Sequence, residues 1–191
     1  HTNASASFID SSPSGHTITR SSTPVHNTAQ QKFGTSSMCF GGGGDYLSIA
    51  DHADWDMGTG DFTIDTWVYQ AFIASGHNYV WELANSSGSK RISFAPNNAT
   101  INHFIGTIFS SQIDFTWTAG TWNHIAWVRS SGTATVYING ILVASIADPT
   151  NYNDISIFRI GDRYVHQATS NYWNGYMDEF RISKGIARWT S

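Results

Sequence analysis

From position 33 onward the chain is built of short apolar or alternating runs, punctuated by Gly, Asn and Asp, which is the texture of many short antiparallel strands. No stretch keeps a helical period. Strands are predicted at 37–40, 46–49, 62–69, 79–83, 92–95, 104–109, 123–129, 133–138, 141–145, 155–160 and 176–182. Asn139-Gly140 sits between two of these runs, and a two-residue connection of this type favours a type I′ hairpin because both central residues need positive φ. In 62–69, Phe62, Ile64, Thr66 and Val68 share one face and Thr63, Asp65, Trp67 and Tyr69 the other. Large side chains on both faces predict a strand covered on both sides, or a sheet with a second surface to offer. Residues 1–32 are polar apart from Phe8-Ile9 and an alternating stretch at 16–19, which predicts one or two edge strands. No internal repeat of fixed period occurs, which argues against propellers and solenoids.

A length of 191 residues suits one folding unit with a substantial core. Aromatics reach 14%, with eight Trp, while charged residues make up 13%, a balance that fits an all-β domain with a large interior and excludes disorder. The net charge of −4 with ten Lys plus Arg offers no basic stripe for phosphates, so nucleic acid is not an expected partner. No apolar run approaches the roughly 20 residues of a membrane-spanning helix, and no signal peptide is visible, so membrane insertion is not expected. Cys39 is the only cysteine, so burial or a metal must do the work of a disulfide. The first residue is His1 instead of Met, which points to a processed product or a module cut from a longer polypeptide.

Two blocks near the start, Phe40-Gly-Gly-Gly-Gly-Asp-Tyr-Leu-Ser-Ile49 and Gly60-Asp-Phe-Thr-Ile-Asp-Thr-Trp-Val-Tyr69, resemble the opening of laminin-G-like domains of the concanavalin-A-like lectin/glucanase superfamily. Trp122-Asn-His-Ile-Ala-Trp-Val-Arg129 with Val136-Tyr-Ile-Asn-Gly-Ile-Leu-Val143 resembles the central hairpin. Ile160-Gly161 with Gly175-Tyr-Met-Asp-Glu-Phe-Arg-Ile182 resembles the closing strand. The resemblance spans about residues 37–183 and implies an all-β, two-sheet antiparallel jelly-roll sandwich over 1–191. The opening 8–16 and the tail 183–191 look like the subgroup found in bacteriophage and prophage structural proteins, which implies a virion, extracellular or cell-surface setting. Fold leaves function open in this superfamily, so function rests on sites.

No catalytic constellation emerges. Retaining glucanases of the superfamily place two carboxylates roughly 5 Å apart across one glycosidic bond, whereas the only glutamates here, Glu82 and Glu179, lie on strands far apart in sequence. Asp61 and Asp65 share a strand face, but the first reads as a strand entry and the second as a hydrogen-bonded structural acid. Cys39 follows Met38 in an apolar strand and reads as an inert thiol. The His residues show no His-x₃-His spacing on a helix, and the glycines at 41–44 lead into a strand instead of opening a helix, so zinc-hydrolase and phosphate-cradle readings fall.

Asp178 alternates with Phe180 and Ile182 and is expected to face inward, where a charge needs compensation. The resemblance implies that it binds Ca²⁺ together with Asp10 and carbonyls near 34–37, and oxygen ligands of this kind suit calcium. The metal-free alternative is that Asp178 accepts backbone N–H groups. For a ligand, two loop clusters combine aromatic rings with polar groups able to read sugar hydroxyls: His77, Asn78 and Tyr79 in one, Asp162, Arg163, Tyr164, His166, Tyr172 and Trp173 in the other. The alternative for Tyr172 and Trp173 is that they cap the core. Trp67, Trp117, Trp122 and Trp127 are expected in the core, and Trp55 as a loop anchor. Together these features predict a non-catalytic carbohydrate- or surface-binding module carrying structural calcium, with a glycan or cell-surface polysaccharide as partner. The rivals are a virion decoration or assembly domain that contacts other virion subunits, and a divergent glycan hydrolase.

Overall fold

The computed structural model describes residues 3–71, 78–97, 100–105, 108–114, 118–164 and 172–190, with side chains left out of account at 97 and 100–114. Fourteen strands form two antiparallel sheets. In chain order they are β1 (Ile18–Ser21), β2 (Val25–Asn27), β3 (Ser37–Gly41), β4 (Tyr46–Ile49), β5 (Phe62–Tyr69), β6 (Trp81–Ala84) and β7 (Arg91–Asn97). Then follow β8 (Thr100–Ile105), β9 (Ile108–Asp114), β10 (Trp122–Ser130), β11 (Thr133–Ile138), β12 (Ile141–Ala147), β13 (Ile157–Ile160) and β14 (Asn174–Lys184). The first sheet runs β1-β4-β13-β6-β7-β8-β9 and the second β12-β11-β10-β5-β14-β3-β2. Among the described residues the only helix is a 3₁₀ turn at Ala53–Trp55, and no helix is long and apolar enough to cross a membrane.

Alternation decides which residues meet between the sheets. Leu47, Ile49, Trp81, Leu83, Ile92, Phe94, Phe158 and Ile160 point inward from the first sheet, and Phe40, Phe62, Ile64, Val68, Ile125, Trp127 and Met177 from the second. Phe62 stacks on Trp127 with centroids 5.0 Å apart, and Trp81 on Phe94 at 5.3 Å. Each large buried side chain of this kind contributes about 1.5–3 kcal/mol on leaving water. The sequence placed β4, β5 and β11 on their observed bounds. Asn139 and Gly140 adopt φ of 52° and 80°, both positive as a type I′ turn requires. The two edge strands expected before residue 33 are β1 and β2, which join opposite sheets. One expectation fails: the strand at 104–109 is two strands, β8 and β9, paired through Ile105 and Ile108. Its apolar run continued across Gly106, and periodicity cannot see a hairpin whose two arms are both apolar.

Two glycines in the motifs at 160–161 and 175–182 have a steric reason. A Cβ on Gly161 would lie 2.8 Å from the Phe40 ring, and one on Gly175 would lie 2.3 Å from the Tyr69 carbonyl oxygen. β14 therefore approaches β5 more closely than any side chain permits.

Candidate functional site

On the outward side of the second sheet, registry lines up Trp122 of β10, Tyr69 of β5, Tyr176 of β14 and Cys39 of β3. The four side chains are half-buried. Tyr69 lies 5.7 Å from Trp122 and 5.9 Å from Tyr176 between ring centroids, so the rings form a continuous row. Its length from β10 to β14 is two inter-strand steps, about 10 Å. One step along the strands, Trp67 packs 5.1 Å from the His124 ring and carries the Lys32 ammonium 4.0 Å above its own ring. Next comes Asp65, whose oxygens accept hydrogen bonds from Arg181 Nε at 3.0 Å and Nη2 at 2.8 Å, with His124 Nε2 at 3.4 Å. Burial pushes the Asp65 carboxyl up, but the hydrogen bonds from His124 and Arg181 outweigh it and hold the group below its ordinary value. Burial likewise raises the Cys39 thiol, which makes a thiolate there less accessible.

The chain's own tail limits this face on one side. Ala187 and Trp189 pack over Ala126, Val128 and Tyr137, and Thr63 Oγ1 ties the tail down by donating to Ile186 O and accepting from Arg188 N. The rings of Trp67, Tyr69, Trp122 and Tyr176 stay partly open beside it. Trp67 and Trp122 therefore are not core residues as expected, although Trp127 is, with no exposed surface. Trp55 is the anchor it was expected to be, buried and donating from Nε1 to Ala50 O at 3.0 Å. Trp117 lies outside the described residues.

The two loop clusters chosen from sequence do come together, on the outward side of the first sheet. Tyr79 bridges to Tyr172, Arg163 Nη1 donates to the Tyr79 hydroxyl at 3.2 Å, and Tyr164 N donates to Glu82 Oε2 at 2.6 Å. Beneath them, Arg159 pairs with Asp162 and lies 4.1 Å from the Tyr46 ring and 4.7 Å from the Tyr164 ring. Arg91 lies 3.6 Å from the fully buried Glu82. Burial raises the Asp162 carboxyl and the Tyr79 hydroxyl, and lowers Arg91. This is a packed ionic layer. Asn78, Tyr79 and Trp173 are buried, the last two completely, so their rings have no face to give a sugar. Tyr164, at 44% exposure, is the open ring of the set, with Arg163 and Tyr172 half-buried. His77 and His166 lie outside the described residues.

Asp10 and Asp178 line one open cavity of about 950 Å³, together with the backbone stretch that includes Gly34 and Ser37. Asp178 does not face inward with Phe180 and Ile182. A bulge after Asp178, with Glu179 at φ 51°, shifts the register, so Asp178 stands opposite Trp67 on the outward side. Its Oδ2 accepts from Lys32 N and Phe33 N, both at 3.0 Å, and its Oδ1 from Glu179 N. Asp10 accepts from Ser12 N and His16 N at 2.8 Å each. Burial would raise the Asp10 carboxyl, but these bonds bring it below the ordinary value. Both acids act as turn staples, and carboxylate oxygens keep further lone pairs that a cation could share. The chemistry of the donor set thus fits a hard cation.

Glu82 and Glu179 belong to different sheets, and Asp61 is spent on Ser131 N at 2.8 Å. A general acid needs a raised carboxyl, and Asp65 is shifted the other way.

Residues 41–188 match the laminin-G-type family model of the concanavalin A-like lectin/glucanases superfamily. The chain belongs to this family. Domain 4 of AbnA, a GH43 extracellular arabinanase from Geobacillus stearothermophilus solved in complex with arabinotriose, superposes with TM-score 0.67 at 18% identity over 91% of this chain and 84% of that one. The botulinum neurotoxin type C structure, from work describing cell entry as dependent on two ganglioside molecules, gives 0.67 at 13% identity over 94% of this chain and 46% of that chain. Trypanosoma rangeli sialidase gives 0.64 at 15% identity over 84% and 27%. At these identities the likeness is one of fold. No curated protein matches the laminin-G-type chain in sequence.

Proposed function

We propose that this laminin-G-type domain is a non-catalytic carbohydrate- or surface-binding module whose ligand lies across the aromatic row Trp122, Tyr69 and Tyr176. The observation that carries the reading is the continuous set of half-open rings on an outward sheet face. Such rings take the C–H faces of sugars, while neighbouring polar groups, here Arg181, His124 and Lys32, can read hydroxyls or an acidic substituent. The arabinanase domain with its arabinotriose and the neurotoxin with its gangliosides lend support as relatives in fold. A glycan array followed by affinity electrophoresis tests it. Retention of the wild type by at least one glycan is expected to fall about tenfold or more in Trp122→Ala and in Tyr69→Ala, and to survive Tyr164→Ala. Unchanged retention in the first two variants sinks the assignment.

Calcium is part of the same proposal, with Asp10, Asp178 and carbonyls near 34–37 as ligands at the cavity rim. Millimolar Ca²⁺ should raise the melting temperature of the wild type and leave Asp178→Asn unmoved. A second reading, an assembly domain of a virion, draws on the free edge of β12, where Ile141 and Leu142 are 65% and 53% exposed.

A further inference from the structure

Away from the aromatic row, the corner between β4 and β5 gathers His16, His52 and Asp54, with one ligand atom from each lying within 4.8 Å of the others. His16 arrives from the N-terminal segment, while His52 and Asp54 belong to the 3₁₀ turn after β4. His16 Nε2 is 2.8 Å from Asp54 Oδ2, and His52 Nδ1 is 3.4 Å from Asp54 Oδ1. We infer that these three side chains form a binding site for a transition-metal ion of the zinc class, distinct from the oxygen-lined calcium position.

The donor set is the first reason. Two imidazoles and one carboxylate are borderline ligands that suit zinc, nickel or copper, and they leave a fourth position for water. The spacing is the second. A tetrahedral ion with bonds of about 2.0–2.1 Å holds its donors about 3.4 Å apart. The two contacts to Asp54 fall at or below that separation, each on its own carboxylate oxygen, and the three donors, all within 4.8 Å of one another, close on an ion by side-chain shifts of about an ångström. A metal there takes the place of the proton that His16 and Asp54 now share.

Preorganisation is the third. The His16 backbone is held by Asp10 Oδ2 at 2.8 Å, and its ring, only 14% exposed, packs 4.8 Å from Trp55 and 4.7 Å from His52. Ser14 Oγ donates to Asp54 Oδ2 at 2.9 Å, so the carboxylate is oriented by a neighbour outside the ligand set. His52 Nδ1 already directs its lone pair at the turn, accepting from Asp54 N at 3.1 Å, a contact long enough to exchange for a metal bond. His16 and Asp54 line the 950 Å³ cavity, which gives an ion its entry. The Lys184 ammonium beside the turn is held on the Ala53 carbonyl at 2.7 Å. Bound there, the ion would clasp the N-terminal segment to the β4–β5 corner, in a chain whose one cysteine cannot form a bridge of its own.

The test uses chelator-stripped protein in saturating Ca²⁺, titrated with Zn²⁺ by calorimetry and with Co²⁺ by visible absorption. One Zn²⁺ per chain is expected, with tetrahedral Co²⁺ bands. His52→Ala, at a half-exposed position, and His16→Gln should each weaken Zn²⁺ binding about a hundredfold or more and abolish the bands. Asp178→Asn and Trp122→Ala should bind Zn²⁺ as the wild type does. Absence of saturable Zn²⁺ uptake, or His52→Ala affinity within about threefold of the wild type, overturns the proposal.

Discussion

The two outward faces of the sandwich carry equivalent cross-strand rows with opposite chemistry. On the first sheet the row is Thr19, Ser48, Arg159, Glu82 and Ser93, and the segment at Asp162–Tyr164 folds against its Arg159–Glu82 end. On the second sheet the row is Trp122, Tyr69, Tyr176 and Cys39, and the tail covers the sheet farther along β10 and β11, at Ala126, Val128 and Tyr137, with Trp189 against His124. The Glu82–Ser93 end of the charged row is sealed and the aromatic row stays half-open, the reverse of what residue polarity alone suggests. Charges under a roof must be paired, and Glu82 with Arg91 and Asp162 with Arg159 are, with Tyr164 N donating to Glu82 as well. Rings left half-bare cost little and gain a surface that can recognise something.

The contrast makes its sharpest prediction on the sealed side. Glu82→Ala strands Arg91 in a buried site and should lower unfolding free energy by about 3–5 kcal/mol. Trp173→Ala empties a core position and should cost a similar amount, about 3–5 kcal/mol. Urea denaturation measures both. If Glu82→Ala stays as stable as the wild type, the first sheet's outer face is not sealed there; if Trp173→Ala does, Trp173 is no part of the core between the sheets.

On the open side the balance reverses. Trp122→Ala should cost roughly 1 kcal/mol of stability while removing glycan retention, so the ratio of the two effects separates a surface ring from a core ring. A melting-temperature drop as large as that of Trp173→Ala would return Trp122 to the interior.

The smallest effect concerns acid. Asp65 is held below its ordinary carboxylate value by His124 and Arg181, so its stabilisation is present above an unfolded-state pKa of about 3.9. It is lost as pH falls through the lower folded value. Stability measured against pH should show a wild-type advantage over Asp65→Asn that is constant above about pH 5 and shrinks below about pH 4. An advantage that persists at the acid end removes the ion pair from the account.

Alternation in 62–69 already announced a strand with large groups on both sides, and the Asn139-Gly140 hairpin and the motif glycines follow from local sterics. The strands and the hairpin at Asn139-Gly140 were legible because period-2 patterning and turn chemistry act over a few residues. Which face stays open was not. Trp67 and Trp122 read as interior and Trp173 as a recognition ring, because alternation says which residues share a face and nothing of what lies over it.

That choice belongs to tertiary structure. The tail lands on Val128 and Tyr137, the segment at Asp162–Tyr164 lands against Glu82, and a one-residue bulge at Glu179 turns Asp178 outward. His16 and Asp54, 38 residues apart, meet only because β1 pairs with β4. The amino-acid order alone determined many short antiparallel strands, the 133–145 hairpin and an aromatic interior, since burial and turn geometry are encoded locally, and its motifs implied the two-sheet sandwich by resemblance. Packing of distant segments decided the open face and the histidine corner, because covering a surface requires parts of the chain that no local pattern connects.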